Sequence, residues 1–185
     1  TLFRSDHHDP MGEVKMPDEL ESITDIIKKM GDQLPKPVTA YFNRERPFEM
    51  RPINISRYLN PVPGIPEQSF WLRATSEVAD ELPLQQAALG YASDFTLLDT
   101  ALIAHGKLLF DPNIMVASLD HSIWFHRPFK INQWLLYKQK SSNAMGARAL
   151  TQGQFFNLEG TLVASTTQEG LVRPITSPKG IPTAR

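Results

Sequence analysis

Residues 1–19, TLFRSDHHDPMGEVKMPDE, are polar and show no hydrophobic period. Leu20, Ile23, Ile27 and Met30 then recur at helical spacing, which predicts a short amphipathic helix closed near Gly31 and Pro35. So short a helix is marginal alone, so it is read as a docking helix. FEMRPINI (48–55) alternates imperfectly, and its proline suits an edge strand. A Pro/Gly loop follows over 58–67. SFWLRATSEV (69–78) then reads as a strand with Phe70, Leu72 and Ala74 opposite Trp71 and Arg73. LPLQQAALGYASDFTLLDTALI (82–103) is the long helical candidate. Pro83 suits its first turn, and Leu84, Ala87, Ala88, Tyr91 and Phe95 form an apolar stripe. Gly90 costs helix propensity, and close packing against a sheet is the expected reason for it.

After Gly106 the period changes to two. Strands are expected over 114–126, 133–142, 147–157 and 161–174, with a tight turn at Asn157–Gly160 making the last two a hairpin. The later strands lack helical crossovers, which excludes parallel βαβ units. An α+β fold accounts for this order: a curved antiparallel sheet wrapped around one long central helix. The division is a linker with docking helix over 1–38, one folded domain over 39–175, and a tail over 176–185.

Composition narrows the partners. The 185 residues are 41% hydrophobic, enough for a core, and include no cysteine. Disulfides, thiolate metal sites and cysteine nucleophiles are therefore excluded. A net charge of -1, from 19 basic and 20 acidic side chains, argues against nucleic acid as partner. No apolar run approaches the ~20 residues of a membrane span. The first fifteen residues do not read as a secretory signal, and the terminal PTAR is not an S-K-L address.

Several polar residues stand in apolar settings. Asp94, near the end of the helical stretch, is a candidate general base with a partly dehydrated carboxylate; the alternative is a local cap. Ser118 falls on the same alternating face of 114–126 as Val116, Asp120 and Ser122. No G-x-S-x-G elbow surrounds it, so it reads as a hydroxyl that orients a water or as an ordinary strand serine. Gln168 shares a face with Leu162, Ala164 and Thr166 and needs partners if buried; otherwise it is an exposed strand glutamine. His121 and His126 are five apart, on opposite faces of a straight strand, which argues against a shared metal site. Asp120 and His121 make a dyad only if the backbone turns between them. No metal site or cofactor is expected.

Four blocks carry a resemblance: LQQAALGYASDF, VASLDHSIWFHRPF, WLLYKQKSSNAMGARALTQGQFF and EGTLVASTTQEG. From about Phe70 to Pro174 the chain resembles the C-terminal hotdog domain of the acyl-CoA thioesterase II family, in particular a eukaryotic, fungal peroxisomal type. That family hydrolyses fatty acyl-CoA with a water held by an aspartate, a threonine and a glutamine. The resemblance assigns these roles to Asp94, Ser118 and Gln168, with serine standing where threonine is usual. It implies a hotdog fold, a fatty acyl-CoA substrate, and a second hotdog domain or homo-oligomeric copy as partner. It also implies a peroxisomal location, with the cytoplasm as alternative. An anhydride on Asp94 is the rival mechanism, and a non-catalytic acyl-CoA-binding or partner-stabilising module the rival function. A histidine-based, dehydratase-type hotdog is a third reading.

Overall fold

The computed structural model describes residues 5–30, 33, 34, 36, 39, 40, 44–56 and 60–175. The expected helix end at Gly31 and Pro35, part of the 58–67 loop, and the 176–185 tail lie outside these residues. Among the described residues seven strands form one antiparallel sheet: β1 (Phe48–Pro52), β2 (Glu67–Ala74), β3 (Ile114–Ser118), β4 (Ser122–Phe125), β5 (Leu135–Met145), β6 (Arg148–Phe156) and β7 (Leu162–Pro174). Their order is β1-β2-β5-β6-β7-β3, and β4 also pairs with β7. Among the described residues the α-helices beside the sheet are α1 (Ile23–Met30), α2 (Leu82–Ser93) and α3 (Asp99–Leu102). The expected β6–β7 hairpin is present, closed by Asn157 and Gly160.

Alternation on β7 decides the two faces. Ala164, Thr166, Gln168 and Gly170 are buried under the helices, while Ser165, Thr167 and Glu169 face outward. An irregularity opposite Phe155 and Phe156 turns Leu162 to the outer face, off the face it is expected to share with Gln168. On the inner side Phe70, Leu72, Leu89, Ala92, Leu97, Tyr137 and Phe155 form the main core. Gly153 belongs to this packing, because a Cβ there would overlap the Tyr137 ring, which stacks on Phe155 at 3.8 Å.

The outer face is apolar as well. Trp71, Trp134, Leu136, Phe156 and Leu162 form a second cluster, covered by Met11, Val14 and Leu20 of the N-terminal segment. That segment is fixed through its backbone. Trp71 Nε1 donates to Lys15 O at 2.8 Å, Lys138 Nζ to Met11 O at 3.0 Å, and Arg51 Nη1 to Pro17 O at 2.7 Å. Past this strap, α1 buries Ile23 and Ile27 in the main core.

Glu49 lies between Arg51 and Arg73, 2.8 Å from each, and both guanidinium groups lie over the Trp134 ring. Burial opposes ionisation of Glu49. Hydrogen bonds from Arg73 and then Arg51 outweigh it and hold the carboxyl below its ordinary 4.5. The unfolded chain therefore takes up this proton first as pH falls. Stability from the cluster is present above 4.5 and is lost as pH drops through the lower folded value. Glu49→Gln is expected to flatten this acid limb of stability, measured as urea midpoints between neutral and acidic pH. An unchanged slope would show that the cluster contributes nothing.

Three expectations need correction. The helix expected over 82–103 is broken: α2 ends at Ser93, residues 94–98 are turns, and α3 begins at Asp99. Thr96 causes the break, with φ of 58°, which a β-branched side chain rarely adopts. The buried face of α2 is Gln85, Leu89, Ala92 and Ser93; of the expected stripe, Leu84, Ala87 and Tyr91 are exposed, while Ala88 and Phe95 pack partly against the core. A Cβ at Gly90 would meet open space, so close packing does not explain that glycine.

The 114–126 stretch is two strands. Ser118 pairs with Gly170 and Ser122 with Thr167, so three residues on one strand oppose two on the other. This is a bulge. Leu119 and Asp120 both donate their N–H to Glu169 O, and Asp120 Oδ1 accepts the Glu169 N–H at 2.8 Å. Asp120 thus closes the bulge and does not form a dyad with His121. Ser118, Asp120 and Ser122 do not share one continuous alternating face.

Candidate active site

The three residues singled out from sequence come from three elements. Asp94 is the C-cap of α2, Ser118 ends β3 at the bulge, and Gln168 sits mid-strand on β7. Gln168 Nε2 donates to Asp94 Oδ1 at 2.6 Å and to Ser118 Oγ at 3.0 Å. The structure therefore brings all three together. Gln168 is 0% exposed, which removes the exposed-strand alternative, whereas the Asp94 side chain is 59% exposed. The partly dehydrated carboxylate expected at Asp94 is not found on this chain, because the helix ends before it and leaves it at the surface.

Hydrogen counting fixes what each group can still do. Asp94 presents only acceptors when ionised, so the Gln168 amide must turn Nε2 towards it. Both Nε2 hydrogens are then used, one on Asp94 and one on Ser118. Ser118 Oγ accepts, which leaves its own O–H free to donate. Asp94 keeps lone pairs on its exposed side. One donor and one strong acceptor thus face outward from a buried anchor, an arrangement able to hold and polarise a water.

The base of α2 is pinned from below. Tyr137 Oη donates to Ser93 O at 2.6 Å. Burial, above all, pushes the Tyr137 phenol far above its ordinary 10.0, so it remains a donor at neutral pH. The turn after Asp94 is held by Gln139, paired across strands with Gln68. Gln139 Nε2 donates to Phe95 O at 3.0 Å. Its Oε1 accepts from Gln68 Nε2 at 2.7 Å, Thr100 Oγ1 at 2.9 Å and Thr96 Oγ1 at 3.1 Å. Backbone strain of this kind persists only where its surroundings over-determine it, and this network does so for Thr96.

Sequence reasoning missed Gln68, Thr96, Thr100 and Gln139. A signal for one was available: Gln139 follows Leu135 and Tyr137 at period two and therefore sits on the buried face of β5. His121 turns inward at the bulge. Its ring Nε2 lies 2.7 Å from Ser93 Oγ, and Nδ1 lies 4.0 Å from Asp94 Oδ1. His126 instead meets Ser165 on the outer face, so the two histidines part company. Among the described residues no three His, Cys, Asp or Glu side chains are grouped to hold a metal.

A cleft of about 470 Å³ lies on the outer face, lined by Glu67, Lys138, Lys140, Gln152, Gln154 and Thr167 among others. It contains none of Asp94, Ser118 and Gln168. The site instead opens at the β3–β4 edge of the sheet.

Comparison with known proteins gives consistent results. A family model described as acyl-CoA thioesterase matches residues 37–171. Acyl-CoA thioesterase 2 of Haemophilus influenzae is 39% identical over 168 residues, covering 91% of this chain and 59% of that protein. A crystal structure of acyl-CoA thioesterase II TesB2 from Mycobacterium marinum superposes with TM-score 0.71 at 34% identity, covering 98% of this chain and 61% of that one. The peroxisomal acyl-coenzyme A thioester hydrolase 1 of Saccharomyces cerevisiae is 36% identical over 86 residues, 46% of this chain and 24% of that protein. This chain therefore spans about three fifths of the bacterial proteins it matches. With its hotdog-like α+β fold and the match over 37–171, the chain belongs to the acyl-CoA thioesterase family.

Proposed function

We propose that this chain is the C-terminal hotdog unit of an enzyme that hydrolyses fatty acyl-CoA to free fatty acid and CoA. The observation that carries the reading is the Gln168 amide bridging Asp94 and Ser118 across three elements. In this reading Asp94 removes a proton from water as the water attacks the thioester carbonyl. Ser118 donates its free O–H to hold that water, and Gln168 sets the distance between the two. Backbone N–H groups around the 94–98 turn stabilise the oxyanion. The CoA thiol is acidic enough to leave as thiolate, so no dedicated leaving-group acid is required.

In this reading 1–38 is a connector and docking helix, 39–175 the hotdog unit with its sheet curved around helices α2 and α3, and 176–185 a tail. The site lies at an open sheet edge, where Leu119 of the bulge and Trp124 of β4 are exposed. A second hotdog unit, or a second copy of this chain, covers that edge and completes an acyl channel. The peroxisomal name of the yeast relative supports a eukaryotic, peroxisomal setting, with the cytoplasm as alternative.

Thiol release from palmitoyl-CoA by the assembled protein tests the activity. Turnover with free palmitate as product is expected. Binding of palmitoyl-CoA without turnover would replace the hydrolase by an acyl-CoA-binding module. Immunolocalisation tests the compartment, and a purely cytosolic signal would remove the peroxisome.

A further inference from the structure

The proton positions around His121 follow from its neighbours. Ser93 has one hydroxyl hydrogen, and Ser93 Oγ donates it to Gly90 O at 2.7 Å. Towards His121, 2.7 Å away, the same oxygen can only accept, so His121 Nε2 carries a hydrogen. In the neutral ring Nδ1 is then a bare lone pair. That atom is enclosed, has no hydrogen-bond partner among the described residues, and points at Asp94 Oδ1 4.0 Å away. Two acceptors facing each other make a place for one proton.

We propose that His121 is a positioning residue that receives, through Asp94, the proton taken from the attacking water; this rests on the hydrolase reading above. The water O–H bond breaks as its oxygen bonds to the thioester carbon, and the proton passes to Asp94. Rotation of the exposed Asp94 side chain closes the 4.0 Å gap and hands the proton to Nδ1. The C–S bond then breaks and its electron pair leaves on sulfur. The imidazolium returns the proton along the same route to give the thiol. Nothing is oxidised or reduced, and water and thioester become acid and thiol.

The surrounding charges leave this pairing undisturbed. From α2 the ring faces Asp94. From the bulge, Asp120 is turned to the Glu169 amide. From β7, the Glu169 carboxylate lies 3.6 Å from Arg148 on β6. Ser93, the group that fixes the ring, is itself held by Tyr137 through its carbonyl.

Two measurements on the assembled protein test the proposal. In ¹⁵N-histidine spectra of the resting protein, His121 is expected as the Nε2–H tautomer when neutral; an Nδ1–H tautomer overturns the proposal. His121→Ala is expected to lower kcat ~10- to 100-fold, a modest general acid–base effect, with KM little changed and partial rescue by added imidazole. The pH profile of kcat is expected to change shape with it. Unchanged kcat, or a loss that imidazole does not rescue, overturns the relay and leaves a packing role. Asp94→Asn runs in parallel. No thiol release from the unaltered protein sinks the hydrolase reading itself, full activity of Asp94→Asn removes Asp94 and the relay with it, and loss there with a silent His121→Ala sinks only the relay.

Discussion

Asp94→Asn is expected to lower kcat for acyl-CoA hydrolysis by roughly 10²- to 10⁴-fold, the range of a positioned general base. KM is expected to stay within a few-fold. The substitution isolates the chemistry, because asparagine keeps the shape and its carbonyl oxygen still accepts the Gln168 amide hydrogen now given to Asp94 at 2.6 Å. What is lost is the ability to take a proton. The exposed position of Asp94 makes a folding defect a poor explanation for any loss, since the rest of α2 is held by Tyr137 and by buried Leu89 and Ala92. Steady-state thiol release on both proteins, with matched circular dichroism, gives the ratio. A ratio near one would remove Asp94 from the reaction.

Gln139→Leu is expected to have the largest effect on stability. Leucine fills much of the space but leaves Phe95 O and the Thr96 hydroxyl without the partners that Gln139 supplies. Each buried polar group left unpaired costs about 1–3 kcal/mol, so the loss is about 2–5 kcal/mol. For a chain of this size that lowers Tm by roughly 5–15 °C. The left-handed Thr96 also loses part of what holds it, so the turn that begins at Asp94 relaxes and kcat falls with stability. Urea and thermal unfolding measure the first effect and thiol release the second. A loss below about 1 kcal/mol would mean that water replaces the amide and that the turn needs no pin.

The strands of this fold were legible because β6 and β7 keep a period of two over most of their length, which groups the residues of one face. Parity groups Gln168 with Ala164 and Thr166, and the structure buries that face, which the sequence left open. Parity failed at Ser118, Asp120 and His121, because one extra residue at a bulge shifts the register and nothing in SLDHS announces it. The break in the central helix was hidden for a related reason. Phe95, Leu97 and Leu98 look helical, and only side chains 43 and 28 residues away, Gln139 and Gln68, hold Thr96 in the left-handed form. The strap was missed because residues 9–20 have no period. Their binding uses backbone carbonyls, which any sequence supplies, received by Trp71, Arg51 and Lys138. The catalytic roles themselves came from family resemblance; burial and spacing alone left a cap, a strand serine and a strand glutamine equally open.

In the proposed reaction one water, held by Asp94 and Ser118 and spaced by Gln168, meets a thioester carbonyl at the β3–β4 edge. A crystal structure of the assembled protein with a non-hydrolysable thioether analogue of acyl-CoA tests it most directly. The account places the carbon that replaces the carbonyl about 3–3.5 Å from a water bonded to Asp94, as a near-attack geometry requires. An analogue seated with its reactive carbon on the outer-face cleft, and no water between Asp94 and Ser118, would contradict it.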